Sequence, residues 1–284
     1  MKLSIITVNY NNKVGLENTI KSVISQENFN DFEYIIIDGD STDGSVDVIK
    51  EYADSINYWV SEPDKGIYNA MNKGVSKAIG VYCIFMNSGD IFADKSVIKD
   101  VFKIGLKTDI VTGGIVFGPN NTYYGPKSVT LRHFFKKSLA HQASFIKTSV
   151  LREIPYDETL RIVSDWKFFI EAIIINKHSY SPIDRLIAIN EPAGRGSNRK
   201  LSDYEHNLVL HSILPDCAFE DYDVLLNGSS DYERFYRCIS NSRFAKLIYI
   251  INCGLMKLLT CWQKDCWTKK YKLIPKNFEG EFKK

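Results

Sequence analysis

The chain has 284 residues, which suffices for one large α/β domain with an appended segment or for two small domains. Hydrophobic residues make up 44% and charged residues 25% of it, as in ordinary globular proteins, and the net charge of +2 gives no reason to expect a nucleic acid partner. Its 6 cysteines have no paired spacing of the zinc-ribbon or redox type, so we expect reduced thiols.

Three apolar, β-branched runs near the start of the chain each lead into a turn rich in Asp and Asn. The runs and their turns are 3–8 with 9–12, 34–37 with 38–44, and 81–86 with 87–90. Continuous apolar runs are typical of strands buried on both faces of a parallel sheet. Ligands of such sheets bind outside the carboxyl ends of the strands, so we expect the three turns to meet at one rim that holds a nucleotide and a metal ion.

Helices and a further strand are predicted between these runs. Apolar residues recur at helical spacing over 14–26, and serines and aspartates at 41–45 can cap a second helix. A short strand at 56–60 and a loop at 62–66 precede a helix over 68–78. This alternation predicts parallel βαβ units with right-handed crossovers.

The pattern loosens after residue 95. The predicted elements are a helix over 96–102, strands over 109–117 and 143–146, a helix over 165–175, loops at 119–127 and 190–200, and helices beyond 203. We therefore predict a domain over 1–200, with a nucleotide-binding half at 1–95 and an acceptor half at 96–200. A helical extension is predicted over 201–284.

Four ordered motifs resemble family 2 glycosyltransferases. They are Ser-Ile-Ile-Thr-Val-Asn-Tyr-Asn (4–11), Ile-Asp-Gly-Asp-Ser-Thr-Asp-Gly-Ser (37–45), Ser-Glu-Pro-Asp-Lys-Gly-Ile-Tyr-Asn-Ala-Met-Asn-Lys-Gly (61–74) and Phe-Met-Asn-Ser-Gly-Asp (85–90). The resemblance covers roughly residues 1–190 and is greatest to the bacterial branch that builds O-antigen, capsule and exopolysaccharide. It implies a GT-A fold with a Rossmann-like, mostly parallel sheet, a nucleotide-sugar donor and inversion at the anomeric carbon.

The first two turns and the 62–66 loop are expected to bind the donor, favoured as a UDP- or dTDP-sugar. The resemblance places Thr7, Val8 and Tyr10 against the base, and an aromatic ring suits base stacking. A carboxylate of the second turn can accept hydrogen bonds from the base and the ribose. Asp38 is the first choice and Asp40 the second, because many relatives have an acid where this chain has Gly39.

The loop adds two further candidates for donor binding. The resemblance places Asp64 near the donor ribose. Lys65 can meet a phosphate as a point charge, or it is an ordinary residue of a surface turn.

The third turn is the candidate metal site. Family 2 enzymes usually place several acids here to bind Mn²⁺ or Mg²⁺ against the donor diphosphate. In this chain Asp90 supplies the charge, and the Asn87 amide can orient sugar hydroxyls. Hard divalent cations bind oxygen ligands and retain waters, so one carboxylate with phosphate oxygens can suffice. The same residues also favour a plain type I turn.

Asp165 is the predicted general base, since it begins an apolar helix in the segment that carries the base in the family. Its position at a helix N-terminus predicts a lowered pKa, which keeps the carboxylate ionised but weakens it as a base. The alternative is a capping aspartate. His141 also matches the family, as a contact of the acceptor or the diphosphate, or as a structural histidine.

The location of the protein is predicted to be cytoplasmic. A strand begins directly after Met1 and Lys2, so we expect no signal peptide. Residues 244–262 mix apolar and cationic side chains, which fits a peripheral helix on the inner face of the membrane or a helix packed on the main domain. The acceptor is expected to be a glycan or a lipid-linked sugar.

Two other functions compete with a metal-dependent, inverting transferase. A degenerate relative would bind a donor or a partner without turnover, as Gly39 and Gly89 in place of acids suggest. A sugar nucleotidyltransferase would need a Gly-rich loop with a basic residue after the first strand, where this chain has Asn9-Tyr10-Asn11-Asn12.

Overall fold

The computed structural model describes residues 1–27, 29–118, 121–190 and 198–215. They lie in one compact unit, Met1–Pro215. Most of the predicted extension over 201–284 lies outside the described residues. The candidate membrane helix at 244–262 lies outside them completely. The predicted division of the chain near residue 200 stays a prediction.

Strands and helices alternate through the first half and become irregular in the second. The strands are β1 (Leu3–Asn9), β2 (Phe32–Asp38), β3 (Tyr58–Ser61), β4 (Tyr82–Phe85), β5 (Asp90–Phe92), β6 (Ile110–Phe117), β7 (Thr122–Tyr124), β8 (Ser144–Lys147) and β9 (Tyr180–Asn190). The α-helices are α1 (Lys13–Ile24), α2 (Ser45–Glu51), α3 (Ile67–Lys77), α4 (Val97–Ile104), α5 (Leu131–Lys136), α6 (Thr148–Glu153), α7 (Ser164–Ile170) and α8 (Arg199–Ile213). The described residues also contain two 3₁₀ helices, Ala53–Ser55 and His141–Ala143, and a π-helical segment, Glu171–Ile175.

The strands form one sheet in the order β3-β2-β1-β4-β8-β6-β9-β5, with β7 paired to β6. The first four strands are parallel, and β6 is parallel to β9. Strand β8 runs antiparallel to both β4 and β6 and joins the two halves of the sheet. An α/β fold with a mostly parallel central sheet flanked by helices is thereby confirmed.

The core forms where the apolar runs lie between two layers of helices. Every residue of β1 is buried, which explains why its apolar residues are not confined to alternate positions. Leu16, Ile20 and Val23 of α1 lie three and four residues apart, so they share the buried face of that helix. Each such side chain contributes about 1.5–3 kcal/mol through burial.

Several elements from β5 onward were not predicted. Strands β5 and β7 have three residues each, which is too short for a periodic pattern, and β9 contains Pro182 and a bulge against β6. The predicted helix over 165–175 is α7 followed by the π-helical segment. None of the helices in the described part of the chain has the length and hydropathy that a membrane span requires.

Candidate active site

The turns after β1, β2 and β4 meet at one rim of the sheet, as predicted from their place after parallel strands. Asn11 joins the first turn to the second, since its backbone N–H donates to Ser41 Oγ at 2.8 Å and its Oδ1 accepts from the Thr42 N–H at 2.8 Å. Asn12 joins the first turn to the third, because its Nδ2 donates to the Ser88 carbonyl at 2.9 Å. The rim is therefore held together by hydrogen bonds of the chain itself.

Asp38 lies beneath this rim and is fully buried. Its Oδ1 accepts from Asn9 Nδ2 at 2.7 Å and from Ser41 Oγ at 2.6 Å. Its Oδ2 accepts from the Ser41 N–H at 3.0 Å and from Ser61 Oγ at 2.6 Å. A carboxylate offers about four acceptor sites, so no site remains for a base in this arrangement. These contacts give Asp38 a role in shaping the turn, and its predicted contact with the donor stays a prediction.

Thr7 and Val8 are also buried, within β1. The Thr7 hydroxyl donates to the Met86 carbonyl at 2.7 Å and lies 3.0 Å from the Tyr34 hydroxyl. These contacts join β1 to the end of β4 and direct the side chain into the core. A side-chain contact between Thr7 and a donor is thus not offered by this conformation.

Tyr10, Gly39 and Asp64 come together on the open side of the rim. A Cβ added at Gly39 would lie 2.4 Å from Asp64 Oδ2 and 3.2 Å from Tyr10 Cδ2. The Asp64 carboxylate therefore occupies the space next to the position where many relatives have a second acid. The Tyr10 side chain is 50% exposed, which leaves ring surface for a ligand. Asp40 directly follows Gly39 in the sequence and Lys65 directly follows Asp64, and both are exposed. Asp40 has a positive φ of 63°.

Gly39→Ala should weaken donor binding about tenfold, the effect of losing one charge-assisted contact. The new methyl group displaces the Asp64 carboxylate, which can rotate, so the fold should be kept. Donor affinity measured by calorimetry checks this. In an Asp64→Ala background the same substitution should have little further effect, because coupled residues are not additive. Equal weakening in both backgrounds would contradict a contact made through Asp64.

The third turn has a backbone that requires glycine. Gly89 has a φ of 104°, a conformation that L-residues with side chains rarely adopt. Its N–H donates to Thr19 Oγ1 at 3.0 Å, and Thr19 Oγ1 donates to the Asp90 carbonyl at 2.8 Å. An acid at position 89 would be strained in this turn.

Asp90 and Asn87 supply oxygen atoms that fit a hard divalent cation. Asp90 is 3% exposed, and its Oδ1 accepts from Asn190 Nδ2 at 2.6 Å. Burial raises the pKa of Asp90, although the charge of the nearby His141 and the hydrogen bond from Asn190 act in the opposite direction. Asn87 Oδ1 is buried and has no hydrogen-bond partner. The described residues contain no group of three or more His, Cys, Asp or Glu side chains suited to a metal.

Asp165 lies in the first turn of α7 and is held from two sides. Its Oδ2 accepts from His141 Nδ1 at 3.0 Å, and its Oδ1 lies 3.1 Å from the Tyr68 hydroxyl. On the other side of the imidazole, Nε2 lies 3.2 Å from Asn87 Nδ2. Asn87, His141, Asp165 and Tyr68 thus form one continuous chain from the third turn to the predicted base.

The charges of this pair support each other. Burial alone would raise the pKa of Asp165, but the hydrogen bond and the charge of His141 lower it below the ordinary value. Burial alone would lower the pKa of His141, but Asp165 and then Asp90 raise it. The pKa of Asp165 is lowered, as predicted; His141 contributes most to this, and the Trp166 N–H at the start of α7 adds to it.

A cleft of about 390 Å³ opens beside Asp165. We call it the β6–α7 cleft, and its lining includes Phe117, Asn121, Tyr123, Lys137, His141 and Asp165. The other lining residues come from β6, from β7 and the residue just before it, and from the segment between α5 and β8. A small molecule bound there would therefore have access to the carboxylate of the predicted base.

Glu205 of α8 is a residue that the sequence did not single out. It is 4% exposed, and its carboxylate accepts from the backbone N–H groups of Arg161 (2.8 Å), Ile162 (2.9 Å) and Val163 (3.2 Å). These residues directly precede α7, so Glu205 fixes the segment that positions Asp165. A single glutamate in a polar helix has no local pattern that distinguishes it from a solvent-exposed one.

Glu205→Gln should destabilise the protein by about 1–3 kcal/mol, since an amide N–H₂ would face backbone N–H donors. Transfer should fall through kcat more than through the donor KM, because the base moves while the donor rim does not. Thermal unfolding and steady-state kinetics check this. Asp203→Asn on the exposed side of the same helix is the matched control and should change neither. A stable Glu205→Gln protein with normal kcat would exclude this positioning role.

Comparison with known proteins identifies the family of the chain. The family model described as Glycosyl transferase family 2 matches residues 4–165, more than half of the chain. An uncharacterised glycosyltransferase of Mycobacterium tuberculosis (strain CDC 1551 / Oshkosh) is 33% identical over 181 residues, which cover 61% of this chain and 69% of the relative. The minor teichoic acid biosynthesis protein GgaB of Bacillus subtilis (strain 168) is 28% identical over 193 residues, which cover 62% of this chain and 21% of GgaB.

A solved structure shares the fold. The crystal structure of S. aureus TarS 1–349 in complex with UDP-GlcNAc aligns with a TM-score of 0.59 and 20% identity, covering 80% of this chain and 70% of that one. At this identity the likeness shows the fold alone. The family assignment comes from the match over residues 4–165 and from the mycobacterial relative. The chain belongs to glycosyltransferase family 2.

Proposed function

We propose that the protein is an inverting glycosyltransferase that uses a nucleotide-sugar donor and a divalent cation. The observation that carries this is the chain of contacts from Asn87 through His141 to Asp165. It joins the turn that would face the donor diphosphate to a carboxylate beside an open cleft. A transferase needs both groups around one anomeric carbon.

The donor would bind on the open side of the rim. Tyr10 would stack on the base, and Asp64 and Asp40 would accept hydrogen bonds from base or ribose, with Lys65 near the phosphates. UDP- and dTDP-sugars are favoured, because uracil and thymine each present a ring N–H to a carboxylate. The complex of TarS with UDP-GlcNAc supports the uridine donor, as a property of a protein with the same fold.

Asp165 would take the proton of the attacking acceptor hydroxyl. His141 and Tyr68 hold the carboxylate in place, and the ion pair keeps it ionised near neutral pH. Attack from the side of Asp165, opposite the leaving nucleoside diphosphate, inverts the anomeric carbon. A cation held by Asp90 would stabilise the negative charge that develops on the leaving group, and the Asn87 amide would orient sugar hydroxyls.

The acceptor is proposed to be a glycan or a lipid-linked sugar in surface polysaccharide synthesis. The relation to a teichoic acid biosynthesis protein supports a surface polymer, without selecting O-antigen, capsule or exopolysaccharide. A cytoplasmic enzyme with peripheral contact through residues 244–262 at the inner face of the membrane stays part of this proposal.

The alternative of a degenerate relative that binds a donor without turnover loses part of its support. Gly89 is required by the backbone of its turn, and Asp64 places a carboxylate against Gly39. Both departures from the usual acids therefore have a local physical reason that is compatible with turnover. The nucleotidyltransferase alternative does not fit the family to which the chain belongs.

The test is release of nucleoside diphosphate from a panel of nucleotide sugars, with Mn²⁺ or Mg²⁺ and a mixture of glycan and lipid-linked acceptors. We expect turnover with at least one uridine or thymidine donor and a product of inverted anomeric configuration by NMR. Donor binding without transfer to any acceptor would favour the degenerate alternative. Absence of both binding and turnover would refute the proposed function.

A further inference from the structure

We propose that the β6–α7 cleft binds an acceptor sugar that carries an anionic substituent, a phosphate or a carboxylate, and that Lys137 pairs with this group. The inference rests on the proposed function and adds to it the chemical class of the acceptor. Lys137 would act as a residue that determines specificity, while Asp165 in the same cleft acts on the acceptor hydroxyl.

Among the charged side chains that line the cleft, the positive charge of Lys137 has no negatively charged partner within the described residues. Among the described residues that line it, Asp165 is the one carboxylate, and it already accepts from His141 and lies next to the Tyr68 hydroxyl. Lys137 takes part in none of the ion pairs found within the described ranges. Its ammonium is thus available to a negatively charged ligand.

The exposed Lys137 side chain has an aromatic ring as its neighbour. Its Nζ lies 5.5 Å from the centroid of the Tyr123 ring, within the range of a cation–π interaction. The Tyr123 hydroxyl lies 3.1 Å from His133 Nε2, so the ring itself is held in place. Burial and the nearby Lys137 lower the pKa of His133, so this histidine stays neutral near pH 7. Of these two neighbours of Tyr123, Lys137 is therefore the one that carries a positive charge.

The rest of the lining suits a sugar ring. Phe117 is 38% exposed at the end of β6 and offers an apolar surface, and Asn121 supplies an amide for hydroxyl groups. A volume of about 390 Å³ lies within the ordinary range of small-molecule sites. The cleft therefore combines an apolar surface, hydrogen-bonding groups and one available cation beside the predicted base.

Binding of matched methyl glycosides to the protein saturated with nucleoside diphosphate tests the proposal. The probes are methyl glucoside, galactoside and mannoside, each as the neutral sugar, the 6-phosphate and the uronic acid, with affinity measured by NMR titration. Saturation with nucleotide blocks the donor site, so that phosphate cannot bind there. We expect at least one sugar to bind about fivefold more tightly in its anionic forms, as for an exposed ion pair of ~1 kcal/mol.

Lys137→Ala should abolish this preference, Lys137→Arg should keep it, and Lys99→Ala, an exposed lysine on α4, should leave it unchanged. A preference of the phosphate alone or of the uronic acid alone would identify the anion. Equal binding of neutral and anionic probes, no binding of any probe, or a preference that survives in Lys137→Ala would overturn the proposal. These outcomes are independent of nucleotide release, so they are distinguishable from failure of the proposed function.

Discussion

Asp165→Asn should reduce the transfer rate about 10³-fold, the usual contribution of a general base, and leave donor affinity within a few-fold of the wild type. The amide keeps the shape of the carboxylate but cannot take a proton from the acceptor hydroxyl. Its oxygen would still accept from His141 Nδ1, and its N–H₂ could donate to the Tyr68 hydroxyl, whose hydrogen can point to the Ile162 carbonyl 2.6 Å away. The loss should therefore appear in kcat.

Three measurements make this outcome specific. Thermal unfolding should show an intact fold, and calorimetry with the donor should show retained binding. Asp184→Asn, an exposed aspartate of β9, is the matched control and should transfer at the wild-type rate. Transfer by Asp165→Asn within about fivefold of the wild type would mean that another group takes the proton.

Asp90→Asn should lower transfer about 10²-fold at a fixed Mn²⁺ concentration and raise the concentration needed for half activation. Removing the carboxylate takes away the charged ligand of the proposed cation. In the metal-free protein the same change should be neutral or stabilising, because burial already raises the pKa of Asp90 and opposes its ionisation. A structural role and a metal-binding role thus predict different effects on stability.

The decisive readout is the shift of the melting temperature by Mn²⁺, which does not depend on activity. We expect Mn²⁺ to stabilise the wild type and to have little effect on Asp90→Asn. Asp54→Asn in the exposed 3₁₀ helix controls for the loss of one negative charge elsewhere. Equal stabilisation of all three proteins would remove Asp90 as a ligand.

The first half of the fold could be predicted because its pattern is local. Strands β1, β2 and β4 are rich in apolar residues, and α1 and α3 have helical spacing, so each element is visible in its own residues. The second half depends on pairing between distant segments. In β9, buried and exposed residues do not alternate, so its sequence lacks a strand pattern. The strand is defined by its pairing with β6 and β5, which lie far away in the sequence.

The site, like the fold, has features that the local sequence predicts and features that depend on distant contacts. Asp165 and His141 could be named from the motif they match, but their 3.0 Å contact joins α7 to the 3₁₀ helix before β8 and is a product of the fold. The burial of Asp38 depends on Ser61, which lies on another strand. A motif indicates which residue types are present at the rim, whereas their exposure depends on partners that are far away in sequence.

The hydrogen bonds that join the three turns are made by the chain itself. Asn11 and Asn12 hold the first turn to the other two, and Asp38 holds the base of the second. The binding surface is therefore preorganised, and a nucleotide need not order these loops at its own entropic cost. Donor association should then be rapid and accompanied by little backbone rearrangement, so the affinity of the rim is determined by its contacts rather than by a folding step.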